Sequence, residues 1–298
     1  MRHLSASVRM LCVAVLAIGL SAISGFSGRA AAAGMENLTV PSAAMGRDIP
    51  VSFMAGGPHA VYLLDPFNAG PDVSTWVTAG NAMNTLAGKG ISVVAPAGGA
   101  YSMYTDWGHD GSKQWDTFLS SELPNWLAAN KGLAPGGHAV VGASQGGYAA
   151  LALGTFHPDR FRYAGSMSGF LSPERTPVNG YIRKGMLAFG GVDTDNMWGP
   201  PQLGGWVGHS PYVHAQALAD NNTRLWVFSP QTKTASDPAA MIGDSEIAQS
   251  TNHDFYGQYR AVGGHNIHFE MPVDGDHGWS TWGPQLAAMS ADMAASIR

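Results

Sequence analysis

The feature that most constrains this chain is a Gly-x-Ser-x-Gly pentapeptide, from Gly142 to Gly146, with an apolar run before it and an alanine-rich run after it. The pattern predicts a nucleophile elbow, in which a buried strand turns sharply into a helix and holds Ser144 in a strained conformation. The two glycines leave room for neighbouring chain. Amides at the start of the helix, which begins at Gln145, point toward the same place and can stabilise an oxyanion. The alternative is an ordinary strand–turn–helix corner with an idle serine.

The first 33 residues predict a secretory signal peptide. Arg2 and Arg9 precede an apolar run at residues 10–23, and three alanines at 31–33 offer a site for signal peptidase. A membrane anchor is the alternative, but the run is interrupted by glycine and serine and is short for a span of about 20 residues. The single cysteine lies inside this run. We therefore expect an exported domain over residues 34–298 that has neither disulfides nor a catalytic thiol.

The charge of the chain excludes some classes of partner. The formal net charge is −5, and residues 1–33 contain three arginines and no acid, so the exported chain has a charge of −8. So acidic a chain is a poor candidate for binding nucleic acid or an anionic bilayer. With 12% charged residues and nine tryptophans, a neutral polar and aromatic surface suited to sugars or lipids is expected, although a tryptophan-rich core is equally consistent. No cofactor, metal site or integral membrane span is predicted.

Strands and helices alternate along the chain up to Ser144, which predicts a mostly parallel central sheet flanked by helices. A chain of 298 residues with 45% hydrophobic content can bury one large core, so we predict a single α/β domain. We predict a long irregular connection at residues 169–210 and a polar connection at residues 229–250. The predicted strands besides the elbow strand are 37–40, 49–53, 60–64, 91–95, 163–168, 222–228 and 265–271, and the predicted helices besides the elbow helix are 76–86, 118–130 and 282–297.

A loop after the strand at 60–64 is a candidate for the second half of an oxyanion hole. It begins at Asp65 and lies at the carboxyl end of the predicted sheet, where α/β proteins bind ligands. Hydrolases with a nucleophile elbow take one backbone donor from each of two loops, which nominates the N–H groups of Phe67 and Gln145. Asp65 could contact substrate or simply cap the turn.

The catalytic base is predicted to be His277. In hydrolases of this kind the triad follows the chain order serine, acid, histidine, and the histidine lies on the loop after the last strand. Of the 11 histidines, His277 alone occupies that place. His265 and His268, on or beside the strand, are interpreted as structural.

The acid of the triad is less well defined. It should follow the strand at 222–228, and three residues qualify: Asp237, Asp244 and Glu246. Each could instead be a solvated surface charge.

Several longer motifs resemble the antigen 85 mycolyltransferases of mycobacteria and their relatives. The resemblance extends over essentially the whole exported chain. It implies an α/β-hydrolase fold, secretion to the cell envelope, and mycolyl transfer between trehalose-type glycolipids or onto arabinogalactan. It also implies that Ser144 is the nucleophile, His277 the base and Phe67 and Gln145 the oxyanion donors. The motifs are YLLD at 62–65, SELP at 121–124, WL at 126–127, HP at 157–158, DNMWGP at 195–200, NNTRLWV at 221–227, GGHN at 263–266 and HGW at 277–279.

The chain also departs from that family. Asn68 stands where the family has a substrate-holding arginine, whereas Trp279 matches the tryptophan two residues beyond the family histidine; both are predicted substrate contacts. Ungapped counting places the family glutamate on Ser245, with Glu246 beside it, and a shift of one residue on a helix rotates a side chain by about 100°. Residues 83–88 replace the segment associated with fibronectin binding. Asn68, the GGAY loop at 98–101 and the AGPD segment at 69–72 resemble the divergent secreted-antigen branch. Members of that branch are regarded as lacking mycolyltransferase activity because triad residues are replaced, yet this chain keeps both the serine and the histidine.

Two functions remain open at this stage. The first is a secreted serine acyltransferase or esterase that acts on a trehalose mycolate-type glycolipid or another acyl ester, with Ser144, Glu246 and His277 as catalytic residues. The second is a weak or inactive relative that binds carbohydrate or a host matrix protein such as fibronectin.

Overall fold

The fold is built on one eight-stranded sheet, seen in a computed structural model that describes residues 34–231 and 244–297. The predicted signal peptide at residues 1–33 lies outside the described residues. The strands are β1 (Glu36–Ser42), β2 (Arg47–Met54), β3 (Ala60–Leu64), β4 (Ser92–Pro96), β5 (His138–Ala143), β6 (Phe161–Met167), β7 (Arg224–Phe228) and β8 (Ile267–Glu270).

The helices fill the connections between these strands. A π-helical turn (Phe118–Glu122) joins α3 to α4, and a 3₁₀ turn (Pro201–Leu203) precedes α8. The helices are α1 (Thr75–Thr78), α2 (Ala82–Leu86), α3 (Trp115–Thr117), α4 (Leu123–Lys131), α5 (Gln145–Phe156), α6 (Val178–Gly190), α7 (Asp195–Trp198), α8 (Gly205–Gly208), α9 (Ala215–Asp220), α10 (Asp244–Ala261) and α11 (Trp279–Ser296).

The strand order is β1-β2-β4-β3-β5-β6-β7-β8. The pairs β1/β2 and β2/β4 are antiparallel, and every other neighbouring pair is parallel. The predicted α/β class with a mostly parallel sheet is confirmed. Six neighbouring strands of the sheet, β4, β3, β5, β6, β7 and β8, run in the same direction. The loops after β3, β5 and β8 therefore meet at one edge of the sheet.

The core lies on both faces of this sheet. Along β3, Tyr62 and Leu64 belong to one buried cluster, whereas Val61 and Leu63 belong to the other. All five residues of β3 are buried. This explains why the central strands are continuous apolar runs rather than alternating ones.

The predicted helix at 76–86 is interrupted. The structure has α1 and α2 instead, and Gly80 lies between them. Asn81, the N-cap of α2, has a left-handed backbone (φ 51°), which ends the helical conformation between the two helices. Gly80 beside it packs closely against Trp279, since a Cβ there would lie 2.7 Å from the ring.

The prediction of an irregular stretch at 169–210 was wrong. This segment contains α6, a helix of 13 residues, because Pro177 is its N-cap and no proline interrupts it. Its buried residues Val178, Ile182, Gly185 and Met186 have helical spacing, which the sequence already contained. The end of the polar stretch at 229–250 is likewise helical, since α10 begins at Asp244. None of the helices in the described part of the chain is long and apolar enough to span a membrane.

Candidate active site

Ser144 lies at a sharp turn between β5 and α5. Its backbone has φ 56° and ψ −119°, which is strained for a residue with a side chain. A Cβ at Gly142 would lie 2.1 Å from the carbonyl oxygen of Gly146, and a Cβ at Gly146 would lie 2.2 Å from that of Leu64. The Ser144 amide donates to the Met167 carbonyl at 2.8 Å. The pentapeptide therefore forms an elbow whose two glycines are sterically required.

Two backbone amides beside the elbow are available to an oxyanion. Among the described residues, neither Phe67 N–H nor Gln145 N–H donates a hydrogen bond. The buried side chain of Gln145 holds the adjoining loops together, because its Nε2 donates to the carbonyls of Pro66 (3.1 Å) and Gly99 (2.9 Å). Its Oε1 accepts from Met103 N at 3.1 Å. One residue thus offers a main-chain donor and fixes the loop that carries the other.

Asp65 caps α1. Its Oδ1 accepts from Ser74 Oγ at 2.8 Å, Thr75 Oγ1 at 2.6 Å and Trp76 N at 3.2 Å. The carboxyl group is fully buried, and this burial raises its pKa to about 6, against the opposing effect of these hydrogen bonds. Of the two roles that the sequence left open for Asp65, the geometry shows the capping role. Asp65 has no exposed surface that a substrate could contact.

The other predicted substrate contacts differ in exposure. Asn68 is exposed beside Phe67, whose ring stacks on Tyr101 with centroids 5.6 Å apart. Trp279 is half-buried and packs edge to face against Trp76, with centroids 4.9 Å apart. Asn68 is therefore open to a ligand, whereas much of Trp279 serves packing.

His277 follows β8 and directly precedes α11, at the same sheet edge as Ser144. It is 7% exposed, and neither ring nitrogen has a hydrogen-bond partner among the described residues. Its ring stacks on Phe170 at 6.0 Å and 9° and meets Trp282 edge to face at 5.1 Å and 77°. Burial lowers its pKa to about 4, although the adjacent Asp276 carboxylate acts in the opposite direction. The imidazole is therefore neutral at neutral pH and can accept a proton, but it is not hydrogen-bonded to Ser144 in this state.

Within residues 34–231 and 244–297, no carboxylate hydrogen-bonds to His277. Glu246 is exposed on α10 and lines a cavity of about 260 Å³ together with His253 and Met271. Asp237 lies outside the described residues, and Asp244 is described only as the first residue of the α10 backbone.

The neighbouring carboxylate of Asp276 has other partners. It accepts from Ser280 Oγ at 2.7 Å and from Thr281 Oγ1 at 2.6 Å, at the start of α11. It influences His277 through its charge, not through a hydrogen bond to the ring.

Sequence reasoning missed the two aromatic neighbours of His277. The sequence predicts an irregular stretch around Phe170 and identifies Trp282 only as the start of the last helix. Asp276 could have been noticed, because it directly precedes His277. No sequence pattern points to Phe170, whose contact with His277 joins loops 107 positions apart.

Comparisons with known proteins agree with this geometry. Residues 42–293 match the family model described as putative esterase. The MPT51/MPB51 antigen of Mycobacterium tuberculosis is 67% identical over 299 residues that cover both chains completely. A mycolyltransferase from Mycolicibacterium smegmatis, Ag85B, which is also named as a diacylglycerol acyltransferase, is 42% identical over 96% of this chain and 94% of its own.

A solved structure supports the same relationship. The crystal structure of Mycobacterium tuberculosis MPT51 superposes with a TM-score of 0.87 and 71% identity, covering 90% of this chain and all of the other. The predicted antigen 85 relationship and the α/β-hydrolase fold are thereby confirmed. The chain belongs to the putative esterase family of α/β hydrolases, as a relative of the MPT51/MPB51 antigens and the antigen 85 mycolyltransferases.

Proposed function

We propose that this chain is a secreted serine acyltransferase or esterase that acts on acyl glycolipids of the cell envelope. The observation that carries the proposal is the strained backbone of Ser144. Beside it, the backbone N–H groups of Phe67 and Gln145 donate no hydrogen bond among the described residues. Strain of this kind persists only when the surrounding structure maintains it, and it is concentrated at functional sites. The mycolyltransferase and acyltransferase activities named for the Ag85B relative suggest a trehalose mycolate-type ester as substrate.

The reaction would begin when Ser144 Oγ attacks the ester carbonyl carbon and its proton passes to a ring nitrogen of His277. The carbonyl oxygen becomes an oxyanion, which the amides of Phe67 and Gln145 stabilise. Collapse of the tetrahedral intermediate breaks the ester bond, and His277 returns the proton to the departing alcohol. A sugar hydroxyl or water then attacks the acyl-enzyme by the reverse sequence of steps.

The proposed activity is slow. Catalytic hydrogen bonds are often long or poorly aligned in the absence of substrate, so His277 need not contact Ser144 before substrate binds. A triad without a correctly placed acid typically loses about 10⁴-fold in kcat, yet the oxyanion hole and substrate binding still support some catalysis. The expected enzyme is therefore a weak one that acylates at Ser144.

A second candidate is a binding protein for carbohydrate or for a host matrix protein such as fibronectin. It is favoured by one observation, namely that no described group hydrogen-bonds the ring nitrogens of His277. Asn68, where the resembling enzymes have arginine, fits the same interpretation.

Labelling with a fluorophosphonate probe separates the two candidates. The wild type, Ser144→Ala and the control Ser112→Ala, which changes a surface serine on another loop, are followed by intact mass. The proposal expects one adduct per chain in the wild type and in Ser112→Ala, and none in Ser144→Ala. No adduct in any protein after long exposure would overturn it and favour binding assays with trehalose, arabinan and fibronectin.

Export is tested separately. We propose that residues 1–33 are removed during secretion. The mass of the chain recovered from culture medium of an expressing mycobacterial host is expected to correspond to a start at Gly34, whereas a retained leader or a purely intracellular chain would contradict export.

A further inference from the structure

No hydrogen bond from the described part of the chain fixes the orientation of the His277 ring. In serine hydrolases, an acid bonded to one ring nitrogen normally fixes the tautomer and the plane of the imidazole. Both nitrogens of His277 lack such a partner. The ring plane is instead defined by aromatic contacts, since Phe170 lies nearly parallel to it and Trp282 nearly perpendicular.

Phe170 is itself held in place on both sides. The Gly169 carbonyl accepts from Asn252 Nδ2 at 2.7 Å and from Thr251 Oγ1 at 3.2 Å. The Leu171 amide donates to Thr251 Oγ1 at 3.2 Å. Thr251 and Asn252 are buried residues of α10, and Phe170 is itself fully buried. The helix from which the sequence predicted a catalytic acid thus reaches His277 through a fixed phenyl ring.

The same ring also touches the oxyanion loop. The centroids of Phe170 and Phe67 are 6.2 Å apart, and Tyr181 of α6 meets Phe170 edge to face at 5.8 Å. Phe170 therefore lies between the residue that would accept the proton and a residue that would hold the oxyanion. A phenylalanine that served only core packing would not need to contact both His277 and Phe67, the two residues with proposed roles in the reaction.

We propose that Phe170 is a positioning residue for His277, fixing the plane of the imidazole by stacking where a triad would use a hydrogen-bonded acid. The inference rests on the proposed function in assigning His277 as the base. Its structural content, that the Phe170 ring sets the environment and orientation of His277, holds whether or not the chain turns over an ester.

Two variants and one control test the proposal. Phe170→Leu removes the ring and keeps an apolar side chain, whereas Phe170→Tyr keeps the ring. Phe161→Leu is the matched control, because Phe161 is also fully buried and pairs edge to face with Tyr62, but lies at the start of β6. The readouts are the NMR shift and pH titration of the His277 ring proton, assigned by loss of the signal in His277→Gln, and the rate of fluorophosphonate labelling of Ser144.

The proposal expects three linked results. In Phe170→Leu, the His277 proton loses its upfield ring-current shift, and the pKa of His277 rises toward its ordinary value of 6.5 as water reaches the ring. Labelling slows by about 10²-fold, the scale of a misplaced catalytic group. In Phe170→Tyr, the ring-current shift, the pKa of His277 and the labelling rate all return to the wild-type values. In Phe161→Leu, all three stay unchanged. Asp276, the charged neighbour that raises the pKa of His277, is present in every protein compared.

The outcome that overturns the proposal is a His277 shift and pKa in Phe170→Leu that match the wild type. If Phe170→Leu does not fold, Thr251→Val removes the hydrogen bonds of the Thr251 hydroxyl to Gly169 and Leu171 and leaves the ring present. A smaller change in the same direction is expected, and no change overturns the proposal. If the wild type is not labelled, the proposed function fails, but the NMR comparison still decides the role of Phe170.

Discussion

The two halves of the candidate site are held in different ways. Around Ser144, the close approach of neighbouring backbone to two glycines fixes the elbow, and the Gln145 side chain fixes the adjoining loops by donating two hydrogen bonds and accepting one. Around His277, the fixed neighbours are aromatic rings, and neither nitrogen is bonded among the described residues. Hydrogen bonds and steric contacts specify direction more sharply than stacking does. In the proposed reaction, Ser144 is therefore held more firmly than His277, and proton transfer is the more difficult step.

Removing His277, the proposed base, should have the strongest effect on reactivity. His277→Gln leaves Ser144 without a proton acceptor, so labelling by a fluorophosphonate should slow by about 10²–10⁴-fold. The measurement is the second-order rate of adduct formation by intact mass. His253→Gln, which changes an exposed histidine of α10, should label at the wild-type rate. Equal rates in the wild type and His277→Gln would mean that the two halves do not act together.

Adding one methyl group to the elbow should test the steric half. Gly146→Ala places a Cβ against the Leu64 carbonyl, so the free energy of unfolding should fall by about 3 kcal/mol, at the upper end for single substitutions. Urea unfolding followed by tryptophan fluorescence measures this change. In Gly180→Ala, a Cβ in α6 would meet nothing within 4 Å, and stability should rise by about 0.5–1 kcal/mol. Similar small effects at both positions would contradict a sterically fixed elbow.

Acid should weaken the fold through the buried imidazole of His277. The pKa of His277 is lowered from 6.5 to about 4 by burial, so the unfolded chain binds a proton more readily than the folded one. Its contribution is fully present above pH 6.5 and is lost as the pH falls toward 4, by about 3 kcal/mol at 1.36 kcal/mol per pKa unit. Acidification from pH 7 to 4.5 should therefore destabilise the wild type more than His277→Gln.

His138 provides a comparison at the opposite edge of the sheet. Burial lowers its pKa to about 4 as well, so His138→Gln should show the same difference from the wild type. Asp65, whose raised pKa acts in the opposite direction, is common to all three proteins and cancels. Parallel pH profiles for the wild type and His277→Gln would show that His277 is not buried in its neutral form.

The smallest change is expected at Glu246. Because this side chain is exposed on α10 and is not bonded to His277, Glu246→Gln should change the labelling rate by less than about twofold. A triad acid typically contributes about 10⁴-fold. A fall of that size would make Glu246 the missing acid and would remove the difference between the two halves of the site.

The sequence predicted the fold and the sharp turn at Ser144 because both depend on local patterns. Continuous apolar runs marked the central strands, and the spacing of Gly142, Ser144 and Gly146 marked the elbow. The position of His277 followed from chain order alone. The surroundings of His277 could not be predicted, since Phe170 reaches it only through tertiary packing. The close packing of Gly80 against the distant Trp279 could not be predicted for the same reason.

A trapped acyl-enzyme would decide whether the two halves act as one site. The protein is mixed with p-nitrophenyl butyrate, and intact mass and peptide mapping are recorded during the first turnover. We expect a single butyryl group on Ser144, formed slowly in the wild type and absent from Ser144→Ala. Ester hydrolysis that proceeds equally in Ser144→Ala, or prolonged incubation without any butyrylated chain, would contradict a nucleophilic Ser144.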